Sequence, residues 1–199
     1  MANSSSDTSP IRFGGLHHLA LVCHDMERTV DFYTNTLEMR LTKGFDLDNG
    51  YGQHFFFDIG NGAELAFFWF RDAPEPEPGV SAPTHLPGSP GGSITSAKGS
   101  MNHVAFNIDP DDIDAYRERL VAKGVDCSPV INHEDVVTGE QARTSDAISD
   151  KTWVRSFYFF DPDGAMLEFC ATVNPGTQHA DLPVNHKGIK ANGHPITGA

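Results

Sequence analysis

Residues 15–22, GLHHLALV, and residues 100–106, SMNHVAF, share a core of histidine, an apolar residue, alanine and a second apolar residue. Each run is short and apolar, as expected of a strand. A predicted helix and three further strand-like runs follow each of them. We therefore predict an α+β fold made of two β-α-β-β-β halves, each leaving an apolar face that its partner covers.

The first half has clear boundary signals. Asp25 is a predicted N-cap for a helix that ends near Thr36. The tripeptide Gly60-Asn61-Gly62 is typical of a hairpin turn. Strands are predicted over residues 39–46, 51–58 and 63–70.

The second half repeats these signals. Asp109 is predicted to cap a helix with Pro110 at its first position, and Gly124 to end it. The inner face of this helix is assigned to Ile113, Tyr116 and Leu120. Strands are predicted over residues 126–132, 153–160 and 166–171, with a hairpin at residues 161–164.

The remaining segments are rich in turn-forming residues. Residues 73–99 contain too many Pro, Gly and Ser residues for a regular element. A loop of this length in a compact protein is typical of a lid, a linker or an interaction segment. The predicted divisions are a flexible N-terminus (1–13), a first module (14–72), this loop (73–99), a second module (100–172) and an extended tail (173–199).

The composition excludes several classes of function. The 199-residue chain carries a formal net charge of −13, so it lacks the basic face that nucleic-acid binding needs. It has neither a run of 18 apolar residues nor a secretory signal, which predicts no membrane association. Three widely spaced cysteines suit reduced thiols, and we expect a cytoplasmic protein.

Three side chains are candidate metal ligands. Because strand side chains alternate, His18 and His103 occupy the same position of the two repeats and share their faces with small alanines. Glu168 lies inside an apolar run, where a carboxylate is costly to bury without a positive partner. Two imidazoles and one carboxylate form the facial triad that non-haem Fe(II) prefers. The alternatives are two core or surface histidines and an edge-strand carboxylate that faces water.

The halves GLHHLALVCHDMERTVDFYTNTLEM and MNHVAFNIDPDDIDAYRERLVAKG resemble the vicinal oxygen chelate superfamily, which includes glyoxalase I, extradiol dioxygenases, fosfomycin-resistance enzymes and bleomycin-binding proteins. The resemblance covers about residues 14–172. It implies two βαβββ modules around a cupped mixed sheet, with metal ligands on the first and last strands, here His18, His103 and Glu168. Ala66 occupies the last-strand position of the first half, so the fourth ligand expected of glyoxalase I is missing.

Residues 157–168, FYFFDPDGAMLE, are similar to the extradiol dioxygenase signature, in which Tyr158 would contact the metal-bound substrate. The alternative for Tyr158 is a buried strand aromatic. Ser149-Asp150-Lys151 stands where the signature has a histidine, and the acid/base histidine is also missing near Ala63 and Glu64. His85 and Glu64 are the candidate substitutes.

Aromatic residues are candidates for an apolar substrate pocket, and we assign this role to Phe55, Phe68 and Phe70. His54 is predicted to pack against a helix, and His17 to point away from His18. The remaining histidines considered have no ligand spacing and are assigned to loops or the tail: His133, His179, His186 and His194.

The first functional hypothesis is an Fe(II)-dependent dioxygenase that uses O2 to cleave a catechol-like aromatic. A second is an isomerase, epimerase or lyase with Zn, Ni, Mn or Co as Lewis acid and Glu64 as base. A third is a binding protein that sequesters a small molecule without chemistry. The resemblance implies a homodimer, and whether the halves pair within one chain or swap between two stays open.

Overall fold

The computed structural model describes residues 12–77, 82–90, 94–135 and 143–176. The chain divides into two compact units, residues 1–73 and 74–199. Each unit contains a mixed sheet, as predicted for an α+β fold. Within the described residues, every helix is too short or too polar to cross a membrane.

The first unit follows the predicted β-α-β-β-β order. Its elements are β1 (His18–Val22), α1 (Met26–Asp31) with a π-helical continuation (Phe32–Thr36), β2 (Leu41–Asp46), a 3-10 turn (Asp48–Gly50), β3 (Gly52–Asp58) and β4 (Glu64–Phe70). The sheet order is β1-β4-β3-β2, with β1 parallel to β4 and the other pairs antiparallel. The parallel pair brings the first and last strands of the repeat side by side.

Local contacts explain the boundaries of α1 and of the β3–β4 hairpin. The Asp25 carboxylate accepts a hydrogen bond from the Arg28 backbone N–H at 3.0 Å, which confirms the N-cap. At the hairpin, Gly60, Asn61 and Gly62 all have positive φ, which glycine tolerates best. The predicted helix start and hairpin are therefore both confirmed.

The helical segment covers one face of the first sheet. Tyr33 is fully buried, and its ring centroid lies 5.4 Å from that of Phe57 and 4.8 Å from that of Phe67. Because side chains alternate along a strand, Phe56 and Phe68 face the opposite side. The face of β1 that carries His18 is therefore the one away from Tyr33.

The second unit repeats the plan with one additional short strand. Its elements are β5 (Val104–Asn107), α2 (Ile113–Ala122), β6 (Ile131–Glu134), β7 (Thr144–Ser145), β8 (Thr152–Phe160) and β9 (Met166–Thr172). The sheet order is β5-β9-β8-β6-β7, and β5 runs parallel to β9. The first and last long strands are again neighbours.

The start of α2 corrects the sequence prediction. The helix begins at Ile113 with Asp112 as N-cap, three residues later than Asp109 would place it. The Asp109 carboxylate instead accepts from the Asp111 N–H at 3.0 Å, and its carbonyl accepts from the Asp112 N–H at 3.1 Å. Asp109 therefore closes a turn before the helix. The predicted end is confirmed, since Gly124 follows the helix with a φ of +86°.

The strand predicted over residues 126–132 is also displaced. Cys127 forms only an isolated bridge with Phe159, and the strand itself is Ile131–Glu134. The short strand Thr144–Ser145 was not predicted. By contrast, the hairpin at residues 161–164 is confirmed by the hydrogen bond from the Asp161 N–H to the Ala165 carbonyl at 3.0 Å.

Part of the Pro/Gly-rich loop packs on the second sheet. The described residues 73–77, 82–90 and 94–99 contain no helix or strand, as predicted. Ala82 and Leu86 are buried in a cluster with Tyr158 and Met166. This loop therefore covers one end of the face that also carries Glu168.

Candidate functional site

The strand registers show which positions of the two units are equivalent. Ala20 is the parallel partner of Ala66 in the first unit, and Ala105 is the partner of Glu168 in the second. His18 and His103 each stand two residues before these alanines. The register therefore supports the predicted equivalence of Ala66 and Glu168.

His103 and Glu168 are in direct contact. The His103 Nε2 lies 2.9 Å from the Glu168 Oε2. The Asn102 Oδ1 lies 2.7 Å from the His103 Nδ1, and because a carbonyl oxygen can only accept, Nδ1 is the donor. The Nε2 side of the ring therefore faces the carboxylate. A cation at that point, either a proton or a metal ion, would satisfy both groups.

Glu168 is an ionised carboxylate in a buried position. It is 6% exposed. Burial acts to raise its pKa, but hydrogen bonds with His103, Ser156 and Tyr158 hold the pKa of Glu168 below its usual value. The alternative of an edge carboxylate in open water is therefore wrong.

Tyr158 stands directly opposite Glu168 in the β8–β9 register. Its ring lies edge-on to the His103 ring, with 5.6 Å between centroids. Burial and the neighbouring Glu168 charge raise the pKa of the Tyr158 phenol, which is thus protonated and able to donate. The buried-aromatic alternative is correct about burial, but this hydroxyl also contacts the carboxylate. The predicted contact with substrate stays a prediction.

Three further polar side chains share this face and were not predicted as site residues. His133 was assigned to a loop, and this is wrong because it belongs to β6, with its Nε2 3.1 Å from the Ser156 Oγ. Ser156 is fully buried and Cys170 is its partner on β9. The signal in the sequence was the alternation itself, which puts Ser156 on the face of Tyr158 and Cys170 on that of Glu168.

In the first unit, His18 and Glu64 are partners on adjacent parallel strands. Glu64 accepts a hydrogen bond from the Thr42 hydroxyl at 2.6 Å. The His17 Nδ1 lies 2.8 Å from the His18 Nδ1, so the prediction that His17 points away is wrong. The reason is that β1 begins at His18, and strand alternation does not extend to His17.

Aromatic side chains cover the same face of the first sheet. Phe68 stacks on His54 with 3.6 Å between centroids and on Phe70 with 5.2 Å. His54 therefore does not pack against the helix as predicted. Phe55 pairs with Phe67 and lies on the helix side, so its predicted grouping with Phe68 and Phe70 is wrong. The residue opposite Ala66, equivalent to Tyr158, is Phe56.

His85 does not take part in the described contacts around Glu168. His85 is exposed, and its Nδ1 lies 2.8 Å from the Thr84 hydroxyl. His179, His186 and His194 lie outside the described residues. Across the described ranges, no group of three or more His, Cys, Asp or Glu side chains is arranged to hold a metal ion. In the second unit, the described donors thus form a pair, His103 and Glu168.

Comparison with known proteins identifies the fold and repeat. A family model for the Glyoxalase/Bleomycin resistance protein/Dioxygenase superfamily matches residues 15–169. The fosfomycin resistance protein FosX of Mesorhizobium japonicum is 35% identical over 95 residues, which cover 48% of this chain and 54% of FosX. The ring-cleaving dioxygenase candidate MhqE of Bacillus subtilis is 25% identical over 178 residues, covering 76% and 53%. The chain thus spans about half the length of these curated relatives.

A solved structure supports the same fold. The glyoxalase family protein from Enterococcus faecalis superposes with a TM-score of 0.52 at 22% identity, covering 79% of this chain and 98% of that one. At this identity the likeness concerns the fold alone. It agrees with the two repeated sheets described above.

Proposed function

The chain belongs to the glyoxalase/bleomycin resistance protein/dioxygenase superfamily, and from that premise we propose that it is an enzyme with one divalent metal held by His18, His103 and Glu168. The proposed substrate is a small aromatic with two adjacent oxygens, such as a catechol. The proposed reaction is its oxidative ring cleavage with O2.

The observation that carries this proposal is the His103–Glu168 pair. The imidazole Nε2 and the carboxylate Oε2 are 2.9 Å apart. Glu168 is only 6% exposed. The Asn102 Oδ1 contacts Nδ1, so Nε2, which faces Glu168, is the ring nitrogen that would coordinate the metal. Nitrogen and carboxylate donors of this kind suit Fe(II), Mn, Zn, Co and Ni. His18 completes the proposed set because it occupies the equivalent position of the first unit.

The chain's own residues would orient and enclose the substrate. A bound divalent metal would supply the Lewis acidity that draws in two adjacent substrate oxygens and, as Fe(II), the redox chemistry for O2. The protonated Tyr158 phenol would donate a hydrogen bond to a substrate oxygen beside Glu168. Met166 and Leu86 would exclude water from this end of the site.

Aromatic substrate recognition is proposed for the first unit. Phe68 and Phe70 lie on the face of His18 and are stacked nearly parallel, with 11° between their planes. A flat aromatic ligand would gain binding free energy on such a surface, because its apolar faces would be buried against the two rings. Phe55 is omitted from this proposal since it lies on the other face. The likeness to MhqE, a ring-cleaving dioxygenase candidate, favours this substrate class.

A second candidate reaction is an isomerisation, epimerisation or elimination that needs no O2. Glu64 favours it, because this carboxylate shares the face of His18 and is held in place by the Thr42 hydroxyl at 2.6 Å. A carboxylate in that position could remove a proton next to the metal-bound oxygens of a substrate. His85, which is exposed in the loop, is the less favoured base.

The test begins with purification of untagged protein without chelators and determination of its metal content. Oxygen uptake is then measured with a panel of catechols after loading with Fe(II), with His18→Ala and His103→Ala as inactive controls. Uptake with a yellow ring-fission product supports the dioxygenase. Anaerobic turnover with Mn, Zn or Ni supports the second candidate. Tight ligand binding without metal, unchanged in His18→Ala, would show a binding protein instead.

We further propose that the protein forms a homodimer, as relatives in the superfamily commonly do. Light scattering coupled to gel filtration measures the mass directly. A monomeric mass at micromolar concentration would contradict this proposal without bearing on the metal ligands.

A further inference from the structure

His54 is a buried imidazole surrounded by aromatic rings in the first unit. It lies on β3 and is 7% exposed. Its ring stacks on that of Phe68 with 3.6 Å between centroids and 5° between planes, and the rings of Phe56 and Phe45 lie at 4.2 Å and 5.5 Å. These three phenylalanines form the His54 cage, which packs against the imidazole and limits its orientation.

The two ring nitrogens of His54 have different surroundings. Nδ1 lies 3.0 Å from the backbone carbonyl oxygen of Phe67, and because that oxygen can only accept, Nδ1 is the donor. A neutral imidazole that donates from Nδ1 keeps a lone pair at Nε2. None of the residues that the structure describes forms a hydrogen bond with this Nε2. His54 therefore offers a buried acceptor for which the described part of the chain supplies no donor.

A buried acceptor of this kind stabilises a donor placed next to it, because a buried polar atom without a hydrogen bond is costly. Water and a ligand group are the two kinds of donor that could fill the position. A buried water usually needs about two to four polar partners. The described ring contacts of His54 are all with phenylalanines, which supply none of these, so the surroundings favour a ligand with an apolar body and one polar group.

The His54 cage belongs to the same face of the sheet as His18. Val22 and Phe68 are register partners, as are Phe68 and His54, and directly paired side chains lie on one face. His18 shares that face because it stands an even number of residues before Val22 on β1. The Phe56 ring contacts both imidazoles, with 6.0 Å to the His18 centroid and 4.2 Å to the His54 centroid. The two histidines are thus close enough for one substituted aromatic ligand to contact both.

We propose that His54 determines substrate specificity by accepting, at Nε2, a hydrogen bond from a hydroxyl substituent of the aromatic substrate. This inference rests on the proposed function and narrows its substrate class. The substrate would carry a third hydroxyl group, on the far side of the ring from the two adjacent oxygens that the metal would hold. A benzene-1,2,4-triol is of this class, whereas an alkyl-substituted catechol is not. His54 takes no part in bond cleavage.

Phe45 provides the route to the imidazole. It lies on the edge strand β2, is 41% exposed and meets the His54 ring edge-on, with 86° between the planes. Exposed side chains change rotamer on a fast timescale. Phe56 and Phe68 belong to the inner strands β3 and β4. A ligand can therefore displace the Phe45 ring while the other two rings of the cage keep the imidazole in place.

The experiment measures binding without turnover. The full chain loaded with Mn(II) is titrated under argon at pH 8, at which an ordinary imidazole is neutral. The probes are benzene-1,2,4-triol and 4-methylcatechol, which have nearly the same size and differ in a hydroxyl against a methyl group. Isothermal titration calorimetry gives the affinity for each probe.

Three variants separate hydrogen bonding from stacking. His54→Phe keeps an aromatic ring but removes the acceptor, and His54→Gln supplies an amide oxygen in its place. Phe70→Leu is the matched control, because Phe70 stacks on Phe68 and makes no described ring contact with His54. It reduces the aromatic surface and leaves the acceptor in place.

We expect the wild-type chain to bind the triol roughly tenfold more tightly than 4-methylcatechol, because the methyl group leaves Nε2 unpaired. His54→Phe should abolish or reverse this preference, and His54→Gln should restore part of it. Phe70→Leu should weaken binding of both probes by a similar factor and leave their ratio unchanged. Wild-type chain that binds 4-methylcatechol at least as tightly, or a His54→Phe variant that keeps the preference, would overturn the role of His54 and leave the proposed function standing.

A nitrogen NMR measurement decides the question even if His54→Phe fails to fold. In wild-type chain with isotope-labelled histidine, the His54 Nε2 resonance should shift when the triol binds and stay in place with 4-methylcatechol. An unchanged resonance at saturation with the triol would overturn the inference. Mn(II)-loaded chain that binds neither probe would overturn the proposed substrate and this inference together. If the wild-type chain takes up no Mn(II), the proposed metal site is wrong, and the same ratio measured on the metal-free chain decides for His54.

Discussion

Tyr158 and Glu168 face each other across neighbouring strands, in the register that places a phenol beside a buried carboxylate. In the first unit the same two positions are held by Phe56 and Ala66. The repeated scaffold is therefore polar at this point in one unit and apolar in the other. This asymmetry is why the proposed acidic ligand is placed in the second unit and the proposed aromatic surface in the first.

Replacing Glu168 tests the proposed ligand. Glu168→Gln keeps the shape of the side chain but removes its charge, so we expect Mn(II) affinity to fall by more than about tenfold. Titration calorimetry measures the affinity, and circular dichroism checks that the fold is retained. Glu118→Gln is the matched control, because Glu118 is exposed on α2 and is not part of the proposed site. Unchanged Mn(II) occupancy in Glu168→Gln would remove this carboxylate from the site.

The pKa of Cys127 gives a prediction about pH. Burial raises the pKa of this thiol to about 11, against a usual value of 9.0. Since the thiolate is the reactive form, Cys127 should react with iodoacetamide much more slowly in the folded protein than in urea at pH 8. The protonated thiol favours the folded state, so this contribution is present below pH 9 and is lost as pH rises through about 11.

Peptide mass spectrometry follows the labelling of Cys127 as a function of pH. Cys127→Ser, which has no thiol to ionise, should flatten the loss of stability in that alkaline range. Equal labelling rates in the folded and unfolded chain at pH 8 would show that the thiol is not protected by burial.

The sequence predicted both hairpins and most of the strands because their signals are local. Gly60-Asn61-Gly62 marks its turn by glycines that tolerate positive φ, and the turn residues 161–164 do the same in the second unit. The predicted start of α2 was wrong because an aspartate at 109 or at 112 could cap a helix, and the sequence does not distinguish them. The choice depends on the turn that the Asp109 carboxylate closes with Asp111.

The site was only partly predictable because strand faces depend on exact registers. His133 was missed because its strand has four residues, too few to show alternation. Phe55 was assigned to the wrong face of the sheet. When the two halves are aligned with a shift of one residue, each strand side chain is placed on the opposite face. The observed partner of Ala66 is Phe56. His18 and His103 were found from the repeat, and Glu168 was found as a charge inside an apolar run. That the three bind one metal stays a prediction.

Gly52 on β3 should not accept a larger residue. A Cβ at this position would collide with the backbone carbonyl of Trp69 on the neighbouring strand, which cannot move without disturbing the sheet. Gly52→Ala should therefore lower the free energy of unfolding by about 1–3 kcal/mol, the usual cost of overpacking. Gly14→Ala is the control, since a Cβ there meets nothing within 4 Å. Urea unfolding of both variants compares them directly, and equal midpoints would contradict the predicted clash.

Leu86 should hold the Pro/Gly-rich loop against the second sheet. It is 6% exposed and packs with Ala82, Tyr158 and Met166. Removing a buried leucine side chain commonly costs about 2–5 kcal/mol. Because Leu86 lies in a segment without helix or strand, this loss should mainly favour local detachment of the loop rather than global unfolding. In Leu86→Ala we therefore expect trypsin to cleave after Lys98 faster, on the order of tenfold, with little change in urea midpoint.

The matched control for Leu86→Ala is Leu41→Ala, because Leu41 is already 39% exposed on β2 and its truncation leaves the loop untouched. Limited proteolysis read by mass spectrometry separates the two variants. If Leu86→Ala lowers the urea midpoint while cleavage after Lys98 stays at the wild-type rate, then the loop is part of the cooperative core of the second unit. Detachment without global unfolding would instead show that the loop opens independently, which would give solvent and ligands a route to Tyr158 and Glu168.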